Sequence, residues 1–144
     1  MSTITKQVKY KFINLTPHPI KIYDKEGKNL LIEIPKGEAI ARVNTIKKEI
    51  HNIDGIPVNR TEYTNVSVGD MYIMDYIIKA TTETLYEGRI PIFIVSLLVL
   101  QALKDAGVSL ITKQYMIVAP DTNPDSVIRD EKGNIVGVRG FIVI

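Results

Sequence analysis

Asp121-Thr122-Asn123-Pro124-Asp125, followed by Arg129 and Arg139, are the residues of this chain whose types and spacing best suit chemistry. Carboxylates held in a proline-stiffened loop can cap a turn, orient a base or hold a cation. The two arginines flank the tight turn Lys132-Gly133-Asn134. Across a hairpin they can face each other and form a small cationic site for an anionic group. Thr16 and His18 lie in a second stiff loop, Leu15-Thr16-Pro17-His18-Pro19, where an imidazole can act as a base or as a phosphate partner. The competing reading is structural: hydroxyl and imidazole cap backbone groups that the prolines leave unpaired. Loops on a rigid sheet are where binding residues gather, so both loops are placed at the rim of one site.

Arg42, Arg60, Arg89, Arg129 and Arg139 are the only arginines, and several fall in or beside strand-like runs. A guanidinium in a half-buried strand needs a carboxylate or an anionic ligand. Pairing with a carboxylate accounts for any single arginine; Arg129 and Arg139 together point to a ligand. Ser96 opens a helical run, where amides and helix dipole favour an anion. Tyr63 and Tyr115 offer stacking surfaces.

Several chemistries are excluded. His18 and His51 are the only histidines, too few for the usual zinc set. Asp121, Asp125 and Asp130 lack the spacing of an EF-hand. Gly133, Gly137 and Gly140 are followed by no helix and form no dinucleotide fingerprint. Ser96 lacks the glycines of a nucleophile elbow. No catalytic residue, metal or cofactor is assigned.

The 144 residues suit one domain, 1–144, with 45% hydrophobic and 24% charged residues. A net charge of +2 without basic runs argues against a duplex-binding face. The absence of cysteine removes thiolate chemistry and suits a reducing compartment. The N-terminus lacks the apolar core of a signal peptide, and the longest apolar run, from Ile90, ends at Lys104, short of a membrane span. The expected location is the cytoplasm.

The elements that must position these residues read mostly as strands. Lys9 to Leu15, Ile20 to Tyr23, Leu30 to Ile34 and Ala39 to Val43 are β-favouring, with Pro35-Lys36-Gly37 as a hairpin signal between the last two. Ile46 to Ile53 turns at Asp54-Gly55 into Ile56 to Tyr63. Met71 to Ala80 fits either helix or strand. Ile92 to Val95 is a strand feeding a helix with Ser96 as N-cap, Leu97, Leu98, Leu100 and Leu103 on its buried face, and Gly107 as its stop. Val108 to Val118 reads as a kinked strand, and Ser126 to Arg129 pairs with Ile135 to Ile144. The expectation is an α+β fold: a curved antiparallel, barrel-like sheet with one principal helix packed on it. The apolar content and the Tyr- and Met-rich segment from Met71 to Tyr86 predict a homo-oligomer, a dimer or higher.

The segments Phe12-Ile-Asn-Leu-Thr-Pro-His18, Ile34-Pro-Lys-Gly-Glu-Ala-Ile-Ala-Arg42-Val, Gly55-Ile-Pro-Val-Asn-Arg60-Thr-Glu, Ile94-Val-Ser-Leu-Leu-Val-Leu-Gln-Ala-Leu, and Ala119-Pro-Asp-Thr-Asn-Pro through Gly137-Val-Arg-Gly resemble a small family of bacterial, prophage and phage proteins with an Asn-Leu-Thr-Pro-His opening. The likeness draws attention to Asn14, Thr16, His18, Arg42, Arg60, Glu62, Ser96, Asp121, Arg129 and Arg139, while 66–87 is longer than in that family. With an arginine-lined site, the resemblance implies a phage protein that sequesters a host nucleotide signal in counter-defence. Three functions follow. The first is a non-enzymatic binder of an anionic, nucleotide-like small molecule at Thr16, His18, Arg42, Arg60, Ser96, Asp121, Asn123, Arg129 and Arg139. The second is an enzyme on such a ligand, with His18 as acid or base and Asp121 as its orienter or as a metal ligand. The third is a phage assembly protein. The lack of a base-and-nucleophile pair favours the first over the second.

Overall fold

A computed structural model describes residues 9–144. Its centre is a four-stranded sheet in the order β1 (Tyr10–Asn14), β9 (Ile90–Ile94), β10 (Met116–Pro120), β13 (Phe141–Ile142). β1 and β10 both run parallel to β9, and only β13 is antiparallel. This sheet is covered on both faces, which is why Ile-Pro-Ile-Phe-Ile and Met-Ile-Val-Ala-Pro read as unbroken apolar runs. Phe93, Val95, Ile117 and Ala119 face a core shared with the helices, whereas Ile92, Ile94 and Val118 face a second sheet.

That second sheet has the order β11 (Val127–Arg129), β12 (Ile135–Val138), β2 (Ile20–Tyr23), β3 (Leu30–Ile34). Ile20, Ile22, Ile34 and Val138 pack from it onto the central sheet. On the opposite side lie α1 (Ile73–Tyr86) and α2 (Leu97–Asp105), together with a small sheet of β4 (Ala41–Arg42), β7 (Ser67–Val68) and β8 (Met71–Tyr72). Among the described residues β5 (Thr45–Ile53) and β6 (Ile56–Tyr63) pair only with each other and form an exposed arm. Asp54 and Gly55 turn it with φ of 49° and 89°, the two positive angles of a tight hairpin turn.

The α+β class and the hairpin at Asp54-Gly55 agree with expectation; the closed antiparallel architecture does not. Among the described residues the sheets are open, three strand pairs are parallel, and there are two helices. The longer helix is α1, in the segment that fits either period. Ile73, Ile77, Thr81 and Thr84 form its buried face at helical spacing, which outweighs the β-branched composition. Pro35-Lys36-Gly37 makes no hairpin, because β3 pairs with β2 and β4 with β7. Gly37 instead packs against the backbone carbonyl of Asn14, and the Ala41 amide donates to Leu15 O at 2.9 Å. The chain is thereby drawn under the end of β1.

Ser96 caps α2 as expected, accepting from the Val99 amide at 3.3 Å, and Gly107 follows the helix with φ of 80°. The buried face, however, is Val99, Leu100, Ala102 and Leu103. Leu97 and Leu98 are about half exposed (50% and 47%), and Leu97 lies at the wall of a cavity instead of in the core. The strand expected over 108–118 is confined to β10, after a turn in which the Thr112 hydroxyl accepts from the Gln114 and Tyr115 amides at 3.2 and 3.0 Å. The C-terminal run is also divided: β12 pairs with β11, and β13 with β10.

Candidate functional site

Parallel pairing aligns Asn14 with Ile94 and Ile94 with Val118, so β1, β9 and β10 all finish at one edge of the central sheet. Ligands of parallel sheets characteristically sit outside such carboxyl ends. A cavity of about 540 Å³ opens there. The loop after β1 contributes Thr16, Pro17, His18 and Pro19; the turn after β9 contributes Ser96 and Leu97; the end of β10 contributes Pro120 and Thr122. Lys21 of β2 and Ile135 to Val138 of β12 close the other side.

The loop after β1 is built around the buried Asn14. Its Nδ2 donates to His18 O at 2.8 Å and Pro35 O at 3.3 Å, and its Oδ1 accepts from the Thr16 amide at 3.0 Å and the Thr16 hydroxyl at 2.6 Å. One buried amide side chain thus satisfies backbone groups that two prolines leave without local partners. His18 is exposed at the mouth.

At the second corner, α2 begins with the Leu97 and Leu98 amides lacking protein acceptors among the described residues. The first turn of a helix leaves such donors for an anion or solvent. The Ser96 hydroxyl is engaged in the cap, so it is better suited to shaping this corner than to acting as a nucleophile.

No Asp or Glu lines the cavity, whereas Lys21 and His18 do. The described ion pairs lie elsewhere: Glu87 with Arg89 at 2.6 Å and with Lys11 at 3.6 Å. The Arg89 hydrogen bond, foremost, holds the Glu87 carboxyl below its ordinary value. The Lys21 ammonium is therefore free of any protein carboxylate within 4 Å among the described residues.

Of the residues singled out from sequence, the fold brings Thr16, His18 and Ser96 to this cavity. Asp121 and Asn123 stay at its margin and serve the turn, Asp121 Oδ1 accepting from the Asn123 amide at 3.1 Å and from its Nδ2 at 2.7 Å. Arg129 and Arg139 do not converge. Arg129 donates to Gly133 O at 2.7 Å at the turn, whereas the Arg139 amide donates to Ser126 O at the far end of the hairpin. The Arg139 guanidinium lies over Gly27, so close that a Cβ there would sit 2.8 Å from Nε. Arg42 lies in β4 and Arg60 on the arm, away from the cavity lining. Hairpin register puts residues ten apart opposite each other only when the turn is centred between them. Here Val127 faces Val138, and a bulge after Ile128 shifts the rest.

Lys21 and the β12 wall were not singled out from sequence, and Thr122 was named only as part of the 121–125 loop. Lys21 carries a usable signal, being the polar member of an Ile-Lys-Ile alternation directly after the proline loop. The β12 wall carries none, because its position depends on parallel pairing with β2. Gly137 makes that approach possible: a Cβ there would lie 2.5 Å from Tyr23 Cε2 and 2.9 Å from Lys21 O. No helix among the described residues is long and apolar enough to cross a membrane, and no metal-binding group of His, Cys, Asp and Glu occurs among them. Comparison with protein-family models, curated proteins and solved structures found no match to this chain.

Proposed function

We propose that this protein binds a phosphorylated small molecule of nucleotide type and holds it unaltered. The observation that carries the reading is the cavity lining: Lys21, His18, two threonines and the start of α2, with no carboxylate. Such a site is electrostatically suited to an anion and hostile to a cation. Its other wall, Leu97, Ile135, Val136 and Val138, offers apolar surface to a base. The volume of about 540 Å³ falls within the range of small-molecule sites. The phosphate contacts then belong to Lys21, Thr16, Thr122 and the α2 amides, not to the arginines. Binding is favoured over turnover because the Ser96 hydroxyl is engaged and no carboxylate stands beside His18 to orient it as a base. In the setting implied by the family resemblance, the role is sequestration of a nucleotide signal in the host cytoplasm during phage counter-defence. The protein acts as a homo-oligomer, most simply a two-fold dimer.

The test is incubation with a panel of nucleotides and cyclic nucleotides, removal of free ligand, heat release and mass analysis. Retention of an intact nucleotide supports the reading; an altered one replaces it with catalysis; nothing retained overturns it in favour of an assembly role. With a retained ligand, Lys21→Ala should weaken affinity roughly tenfold, a loss of about 1.4 kcal/mol. Arg129→Ala should bind like wild type by calorimetry.

A further inference from the structure

The arm of β5 and β6 has two unlike faces. Register pairs Ile46 with Glu62, Lys48 with Arg60, His51 with Val58 and Ile53 with Ile56, and directly paired residues share a face. One face therefore carries Ile46, Glu62, Lys48, Arg60, His51, Val58, Ile53 and Ile56, while Thr45, Tyr63, Lys47, Thr61, Glu49, Asn59, Asn52 and Pro57 occupy the other. Ile46, Ile53 and Ile56 are 55%, 52% and 65% exposed, and Ile50, at the bulge, is 48% exposed. In the middle of this face stand Lys48 and Arg60, two cations directly opposite each other; Glu62 shares the face diagonally from Lys48, but no ion pair joins it to either cation among the described residues. Like charges so placed destabilise a ladder, and a lone two-stranded hairpin is marginal in water. An apolar face with an unmet pair of cations calls for an apolar surface bearing carboxylates.

The chain supplies one. Beside the root of the arm, Val68, Asp70, Met71, Tyr72 and Asp75 line a broad depression of about 490 Å³, with two carboxylates and no cation. Met71 and Tyr72 are 37% and 46% exposed. The arm and the depression spring from one small sheet: β4 leads into β5, β7 follows β6, and β8 supplies Met71 and Tyr72.

We propose that a second copy of this chain covers the arm, the Lys48–Arg60 face of each protomer seating on the Asp70–Asp75 depression of the other. Both surfaces extend from the small sheet of β4, β7 and β8, and a reciprocal two-fold contact would seat each on the other. Arms stacked on each other would instead gather four cations in one seam. An arm face about 30 Å long and about 10 Å wide, exchanged twice and counted on both partners, buries on the order of 1,200 Å², at the threshold of a specific interface. This inference is independent of the ligand reading, and its outcome leaves that reading untouched.

Sedimentation velocity on the full chain tests it. The wild type should be a dimer at micromolar concentration. Arg60→Glu and Asp75→Arg should each weaken dimerisation by about tenfold or more, with unchanged circular dichroism, and the double variant should restore it. A monomeric wild type, or a dimer indifferent to both substitutions, overturns the proposal. Because the chain has no cysteine, single-cysteine variants give a direct second readout. Mixed Ile56→Cys and Met71→Cys chains should form a disulfide-linked heterodimer. Cross-linking of Ile56→Cys only to itself would place arm on arm and overturn the assigned pairing.

Discussion

β9 and β5 each carry three isoleucines, yet β9 is buried along nearly its whole length and β5 has no buried residue. β9 is flanked on both edges by parallel strands and covered by a sheet on one face and helices on the other. Among the described residues β5 has one neighbour, and its whole length is exposed. β-propensity alone therefore does not assign a strand its role, since the same residues fit either a buried ribbon or an exposed one. Layering does: strands held from both sides can present a fixed edge for a site, whereas a strand held from one side remains a surface for something else.

The sharpest way to break this contrast is at the fixed edge. Asn14→Ala removes an acceptor from the Thr16 amide and donors from two carbonyls in a buried setting. It should cost about 3 kcal/mol in denaturant unfolding and collapse the cavity mouth. Asn59→Ala on the polar face of the arm should change stability by less than about 0.5 kcal/mol. Equal effects at the two positions would show that the arm contributes to the stability of the fold as strongly as the edge does.

Gly137→Ala probes the wall of the same site. Its Cβ would meet the Tyr23 ring and the Lys21 carbonyl, and the second is backbone that cannot swing aside. Overpacking of this kind should cost roughly 1–3 kcal/mol and weaken ligand retention together with stability, because β12 would be pushed off β2. Chemical denaturation and ligand release measured on the same sample check both effects.

These positions also mark what sequence can reveal. Ser96, Gly107 and the Asp54-Gly55 turn are local: a cap, a stop and a tight turn depend on a few neighbouring residues, so they can be read directly. The Thr16–His18 loop could likewise be placed at a strand end. Parallel pairing of β1, β9 and β10 could not be read, because it joins segments about 80 and 25 residues apart and leaves no periodic trace in strands buried on both faces. Arg129 and Arg139 attracted attention as cations, but a one-residue bulge and the true centre of the turn decide where they point. The turn is held by Asp130, whose Oδ1 accepts from the Lys132 and Asn134 amides at 2.9 Å, and this places its centre away from the midpoint between the two arginines.

On the helix side of the central sheet, the buried layer contains one imperfection. The Thr81 hydroxyl is buried in α1 without a hydrogen-bond partner among the described residues, whereas Thr84 and Thr82 return theirs to Ala80 O and Ile78 O. Thr81→Val keeps the shape and removes the unmet hydroxyl, so it should stabilise the protein by about 1 kcal/mol and raise Tm by a few degrees. A loss of stability would mean that the hydroxyl is solvated through a path into the core.

The smallest effect concerns titration on that same side. Tyr76 packs edge-on against Phe93, with ring centroids 6.3 Å apart. Burial first, and the Glu83 charge second, push its phenol above the ordinary value of 10.0. The folded state therefore holds the proton more tightly than the unfolded chain, and this contribution is fully present below pH 10.0. As pH rises through the folded value, the unfolded chain releases the proton first and stability falls. Tyr76→Phe keeps the ring against Phe93 and removes the titrating group. Its stability should thus decline less than that of the wild type between neutral and strongly alkaline pH, other tyrosines and lysines being common to both proteins. The difference between the two pH slopes isolates Tyr76, and parallel slopes would show that its phenol is as well solvated as one on the surface.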